Sequence, residues 1–140
     1  MNILILQGPN LNLLGLKSSE NGGHITLDKL NKAIRKHVHG KGVTLKFLQT
    51  HKQFQAINFL QRNRKWADGL LCIPTSWAKY DWSITETINL INIPISMVYF
   101  DNPFSLGTNQ TESIMTGKKI HAFSGQPVDA CLIGIDHIIS

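Results

Sequence analysis

The sequence has no apolar run approaching the ~18–20 residues that a membrane-crossing helix needs. It also has no basic leader followed by a cleavable apolar stretch. The apolar start, Met1 to Leu6, reads as a strand, and the expected location is the cytoplasm. Cysteine is scarce. Cys72 and Cys131 are the only two, both lie in apolar runs, and buried free thiols are expected rather than a disulfide or a metal pair. No two of the six histidines have metal-ligand spacing, so no metal is expected. His24 and His51 fall near the rim of the sheet, while His37, His39, His121 and His137 read as surface residues. Tyrosine is absent before Tyr80. Repeats, low-complexity tracts and linkers are absent too, which argues for one domain over residues 1–140.

What is present is a globular composition, 42% hydrophobic and 16% charged, with a formal net charge of +5. A basic balance suits nucleic acid or anionic small molecules. Lys29, Lys32, Arg35 and Lys36 share one predicted helix, and Arg62, Arg64 and Lys65 close another. These read as solvated helix faces, with positive charge favoured near helix C-termini. No basic motif interleaved with aromatics and no zinc-finger spacing occurs, so neither nucleic acid nor a membrane is expected as a partner.

Strand and helix signals alternate along the chain. Asn2–Leu6, Val43–Gln49, Gly69–Ile73, Ile95–Phe100 and Ile120–Phe123 read as strands, and Gly8-Pro9-Asn10, Pro74 and Pro94 punctuate them. Leu27, Leu30, Ile34 and Val38 recur at helical spacing, with Thr26 placed to cap them. Ala56, Ile57 and Leu60 mark a second helix, Ile84, Ile88 and Ile91 a third, and Val128 to Ile138 a last. Five strands alternating with helices predict an α/β domain, a five-stranded parallel sheet with helices on both faces. Ligands of such sheets bind beyond the carboxyl ends of the strands. Here those ends are residues 7–15, 50–54, 74–80 and 101–106.

The first of these ends carries Gly8-Pro-Asn-Leu-Asn-Leu-Leu-Gly15, an eight-residue stretch that resembles the signature of the type II 3-dehydroquinases. As a bare strand-to-loop turn, it would need the same Gly, Pro and Asn for backbone reasons alone. Ile25-Thr-Leu27, Phe47-Leu-Gln-Thr50, Ala67-Asp-Gly69, Pro74, Pro94 and Asn102 extend the resemblance without gaps to about Leu106, roughly three quarters of the chain. Beyond that, only the strand-then-helix order agrees. The resemblance implies a flavodoxin-like fold and homo-oligomers built from trimers, up to dodecamers. It also implies dehydration of 3-dehydroquinate through an enolate, with no cofactor and no metal. In that family a loop tyrosine takes the proton and an arginine keeps it ionised. An asparagine-bound water stabilises the enolate, and a histidine protonates the leaving hydroxyl.

Position by position, this machinery is replaced. Lys17 stands for the arginine and Gly22 for the tyrosine base; His51-Lys-Gln-Phe54 replaces an asparagine-histidine-glutamate-glycine stretch. Ile73 stands for the asparagine, Lys79 for a substrate-binding histidine, and Thr85 with Glu86 for an arginine-aspartate pair. Tyr99 replaces the general-acid histidine and Leu106 an arginine of the lid. The candidate catalytic residues are therefore Lys17, Tyr99 and Lys79, since lysine can serve as a base or Schiff-base former and tyrosine as an acid. Solvated lysines and packing aromatics are the plain alternative, and it is preferred for Lys52, Tyr80 and Trp82. Asn10, Asn12, Trp77, Phe100, Asp101 and His51 are the candidate substrate-binding positions, with backbone N–H groups after strand four open to an anion. Three functions stay open: a repurposed enzyme for an anionic or polar cyclic metabolite with lyase- or cyclase-type chemistry, a non-catalytic binding or scaffold homologue, and a genuine 3-dehydroquinate dehydratase.

Overall fold

A computed structural model describes residues 1–140. Five strands, β1 (Asn2–Gln7), β2 (Thr44–Gln49), β3 (Gly69–Ile73), β4 (Ile95–Phe100) and β5 (Ile120–Gly125), form one sheet in the order β2-β1-β3-β4-β5. Every pairing is parallel. This is the flavodoxin-like order, whose topological switch point lies between β1 and β3. The helices are α1 (Leu14–Glu20), α2 (Leu27–Val38), α3 (Gln53–Asn63), α4 (Trp77–Tyr80), α5 (Trp82–Ile91) and α6 (Pro127–Ile139). The expected five strands and four long helices are all there. The short α1 and α4 and two 3-10 turns, at Leu11–Leu13 and Gln110–Glu112, were not expected.

Alternation along the strands builds two cores. Leu4, Leu6, Leu70, Cys72, Met97 and Tyr99 pack under Ala56 and Leu60 of α3 and Ile84 and Ile88 of α5. The intervening Ile3, Ile5, Leu71, Ile73, Val98 and Phe100 pack under α2 and α6. Central strands that are buried on both faces read as continuous apolar runs for this reason. Full burial contributes about 1.5–3 kcal/mol for each such side chain.

Local chemistry sets the helix starts. The Thr26 hydroxyl accepts from the Lys29 N–H (3.2 Å) to cap α2, and the Asp81 carboxylate accepts from the Ile84 N–H (2.9 Å) to cap α5. Both Asp81 oxygens also accept from Gln53 Nε2 at 3.0 Å, which ties the start of α3 to that of α5. Gly134 lets α6 lie close on the sheet: a Cβ there would sit 2.8 Å from Leu71 Cδ1, and the Gly134 carbonyl accepts from the buried Ser96 hydroxyl (2.7 Å). No helix is long and apolar enough to cross a membrane.

Candidate functional site

The switch point brings the turn after β1 against the turn after β3. A Cβ on Gly8 would lie 2.2 Å from the Pro74 carbonyl oxygen, so only glycine fits. Asn10 (φ 69°) and Thr75 (φ 52°) occupy the left-handed region, where Asn is the more comfortable of the two. The Thr75 hydroxyl donates to the Pro9 carbonyl (2.8 Å) and joins the two turns. Gln49 Nε2 donates to the Gly8 carbonyl (3.1 Å) and, at a long 3.4 Å, to Asn12 Oδ1. The polar groups around the strand ends are thus largely spent on each other.

The connection from β4 to β5, residues 101–119, crosses these strand ends as a strap. Gly107 (φ +83°) rests on Ser76, where a Cβ would meet the Ser76 Cβ at 2.9 Å. The Ile114 N–H donates to the Ala78 carbonyl (2.7 Å), and Asn89 Nδ2 donates to the Thr116 carbonyl (3.1 Å). Met115 is sunk into the core, 2% exposed. Under the strap lies a cavity lined by Ile73, Thr75, Val98, Tyr99, Phe100, Leu106 and Thr108, with room of only about 10 Å³ for water centres. That is one water molecule at most. The Thr108 hydroxyl is buried there with no hydrogen-bond partner in the protein.

Of the candidate catalytic and substrate-binding residues, only Tyr99 and Phe100 line this cavity; Ile73 and Leu106, which stand for an asparagine and an arginine of the family, line it with them. The Tyr99 hydroxyl donates to Ser113 Oγ (2.6 Å), which in turn accepts from the Met115 N–H (3.0 Å). Burial pushes the Tyr99 phenol up to about 12; the Ser113 hydrogen bond opposes the shift and neighbouring Cys72 adds to it. Near neutral pH it is a neutral phenol that gives up its proton reluctantly, far from the matched pKa of an efficient general acid. Lys17, half-buried on α1, and Lys79, on α4, are not brought to it. Lys79 is exposed and lies 3.6 Å from Glu112, a surface pair that contributes little. Asn10, Asn12 and His51 are exposed at the rim.

Two expectations are corrected. Trp77 does not line the cavity: it is 1% exposed and packs in the core beneath α4, where burying its large apolar body is favoured. The Asp101 N–H is not open to an anion, because it continues the β4–β5 ladder and donates to the Gly125 carbonyl (2.9 Å). Phe100 stays within β4, in register with Gly125. Thr75 and Thr108 at the cavity, and Ser113 beside Tyr99, are polar groups that no sequence signal had marked. No group of three or more His, Cys, Asp and Glu side chains gathers in a metal-holding arrangement.

Residues 1–139 match the family model for dehydroquinase class II. The chain belongs to the class II dehydroquinase family. Among curated relatives, a 3-dehydroquinate dehydratase of Clostridium botulinum (strain Hall) is 26% identical over 139 residues, covering 99% of this chain and 95% of the relative. One from Carboxydothermus hydrogenoformans is 27% identical over 139 residues, covering 99% of this chain and 90% of the relative. Among solved structures, the type II dehydroquinase of Butyrivibrio crossotus superposes with a TM-score of 0.85 at 21% identity, covering 100% of this chain and 98% of the other. A 3-dehydroquinate dehydratase-like protein from Bifidobacterium longum gives a TM-score of 0.67 at 13% identity, covering 99% and 95%. Within this class II dehydroquinase-family chain, the narrow cavity beneath the strap, between the ends of β3 and β4, is where a family ligand site is sought.

Proposed function

We propose that this class II dehydroquinase-family protein is a non-catalytic binding or scaffold homologue, which does not dehydrate 3-dehydroquinate efficiently. The filled cavity carries this reading: room for at most one water molecule does not admit a six-membered ring acid. The residue replacements support it. A positioned general acid or base contributes about 10²–10⁴-fold, and an enolate stabiliser a further ~10². With Gly22, Tyr99 and Ile73 at those three positions, the loss is on the order of 10⁴ or more, even without full additivity. The test is to incubate the purified protein with 3-dehydroquinate and follow the ultraviolet absorbance of the conjugated enone product. A rate about 10⁴-fold or more below that of the Clostridium botulinum relative, run alongside, is the expected result. Turnover at an ordinary rate would establish a genuine dehydratase, the reading favoured by the relatives' names.

One observation favours a repurposed enzyme instead: the unpartnered Thr108 hydroxyl and the Tyr99–Ser113 pair put three hydroxyls at or beside the cavity. With the strap displaced, these hydroxyls and Lys17 or Lys79 would meet a polar metabolite. A thermal-shift screen of anionic cyclic metabolites separates the readings, since a scaffold with this space filled responds to none. The same proposal includes a trimer-based homo-oligomer, up to a dodecamer. It is supported by the exposure of Leu16 (62%) and Trp82 (69%), large apolar groups that association would cover. Light scattering of the purified protein tests it.

A further inference from the structure

Charge is segregated along this chain. Residues 29–65 hold ten of the fourteen lysines and arginines and none of the nine aspartates and glutamates. That stretch carries +10 and the rest −5, which together make the net +5. Read as sequence, these cations are the solvated faces of separate elements. The topology gathers them. β2 is an edge strand, α2 packs on one face of the sheet and α3 on the other. Lys29, Lys32, Arg35 and Lys36 of α2 therefore share one edge of the molecule with Lys41 and Lys46 at β2. Arg62, which lies beside Leu48 of β2, joins them from α3, with Lys52 and Lys65 at its two ends, while Arg64 turns toward Thr87, Leu90 and Ile91 of α5. All ten are exposed. Only Lys32 has a carboxylate partner, Asp28 at 3.1 Å. The bordering acids are occupied elsewhere, Asp68 by the Asn2 N–H (2.7 Å) and Asp136 by His37 (2.6 Å).

An open groove of about 590 Å³ runs along this edge, lined by Arg35, His39, Gly40, Gly42, Thr44 and Phe47 among others. It contrasts with the filled cavity at the strand ends. Gly40 and Gly42 have positive φ (76° and 69°), nothing stands within 4 Å of where their Cβ atoms would be, and their N–H groups donate to no group of the chain. Open backbone amides between cations suit a phosphate oxygen. Arg35 lies 4.4 Å from the centroid of the Phe47 ring and Lys46 lies 4.1 Å from that of Trp66, so two of the cations are already held in place.

We propose that the β2 edge binds nucleic acid through its phosphate backbone, without sequence selection. Single-sign charge with no carboxylates matches a polyanion, whose neutralisation releases counterions. Seven of the ten cations are lysines, which protein–protein interfaces disfavour. Phe54 is the only exposed large apolar residue in the stretch, too little to seat the edge in a membrane. The lack of a basic motif interleaved with aromatics does not bear on this edge, because contacts to phosphates require no such motif. None of the residues that line the cavity is involved, so this inference stands or falls separately from the reading of the cavity.

The test is fluorescence anisotropy of the full chain with a labelled single-stranded 20-mer, with labelled polyglutamate and with phosphatidylserine vesicles in parallel arms. About five phosphate contacts predict a ~10²-fold loss of affinity between 50 and 200 mM salt. The Lys36→Gln/Lys41→Gln/Lys46→Gln variant, with its fold checked by circular dichroism, lowers the salt slope by about 2. Lys118→Gln/Lys119→Gln, beside β5 at the opposite edge, leaves it unchanged. The proposal is overturned by any of three results: no binding of the 20-mer at 50 mM salt, equal or tighter binding of polyglutamate or vesicles, or a triple variant that binds like the native chain.

Discussion

Thr108→Val replaces a buried, unpartnered hydroxyl by a methyl of similar size, and it should stabilise the protein. The site is apolar on most sides, with Ile73, Val98, Phe100 and Leu106 among its lining. The neighbouring hydroxyls donate elsewhere, Thr75 to the Pro9 carbonyl and Tyr99 to Ser113. Room of roughly 10 Å³ is at the lower limit for holding one water molecule. A buried hydroxyl without a hydrogen bond costs roughly 1–3 kcal/mol. Removing it should return about 1 kcal/mol once imperfect methyl packing is allowed for. For a chain of this size that raises Tm by about 3–4 °C. Calorimetry and urea unfolding of the variant beside the native chain measure it. A fall in stability would refute the reasoning, because it would mean that the hydroxyl has a partner in solution and that the cavity is wetter and larger than described.

Other consequences follow from the same packing. Tyr99→Phe should cost about 1 kcal/mol through the lost bond to Ser113. With the folded phenol raised to about 12 from 10.0, the stability that Tyr99 contributes is full below pH 10 and is lost as pH rises through about 12. A difference titration of native against variant should show the Tyr99 phenolate only near that upper limit, and its appearance near pH 10 would contradict the burial. Asp81→Ala removes the α5 cap and both Gln53 bonds, so a loss of about 1–2 kcal/mol is expected in denaturant unfolding. Cys72 and Cys131 are buried with thiols pushed well up by desolvation. A thiol reagent should therefore label neither until the chain unfolds, and rapid native labelling would show that the strand ends open.

The sheet was legible because both faces of its inner strands are buried, so β3 and β4 stand out as unbroken apolar runs between prolines and glycines. Helix α1 was not, since Gly15, Ser18 and Ser19 dilute its pattern, and α4, four residues long, is too short for any periodicity to register. The site was legible only as a location. Tyr99 was picked out by position, yet its partner Ser113 lies fourteen residues on, in a strap whose course depends on where β5 pairs. That pairing also decides the fate of the Asp101 amide. Trp77 sits at a rim position with its side chain turned into the core, a choice of side-chain direction that sequence spacing does not encode. The basic edge was likewise visible only in pieces, because its parts converge through the order of the strands.

The most direct measurement is the melting temperature of the native chain across a 3-dehydroquinate titration to millimolar concentration. If protein atoms occupy the space where a family ligand would lie, Tm does not move. A ligand at about 100 times its dissociation constant would add roughly 2.7 kcal/mol and raise Tm by several degrees. Such a rise would mean that the strap lifts and that the site still receives the ring.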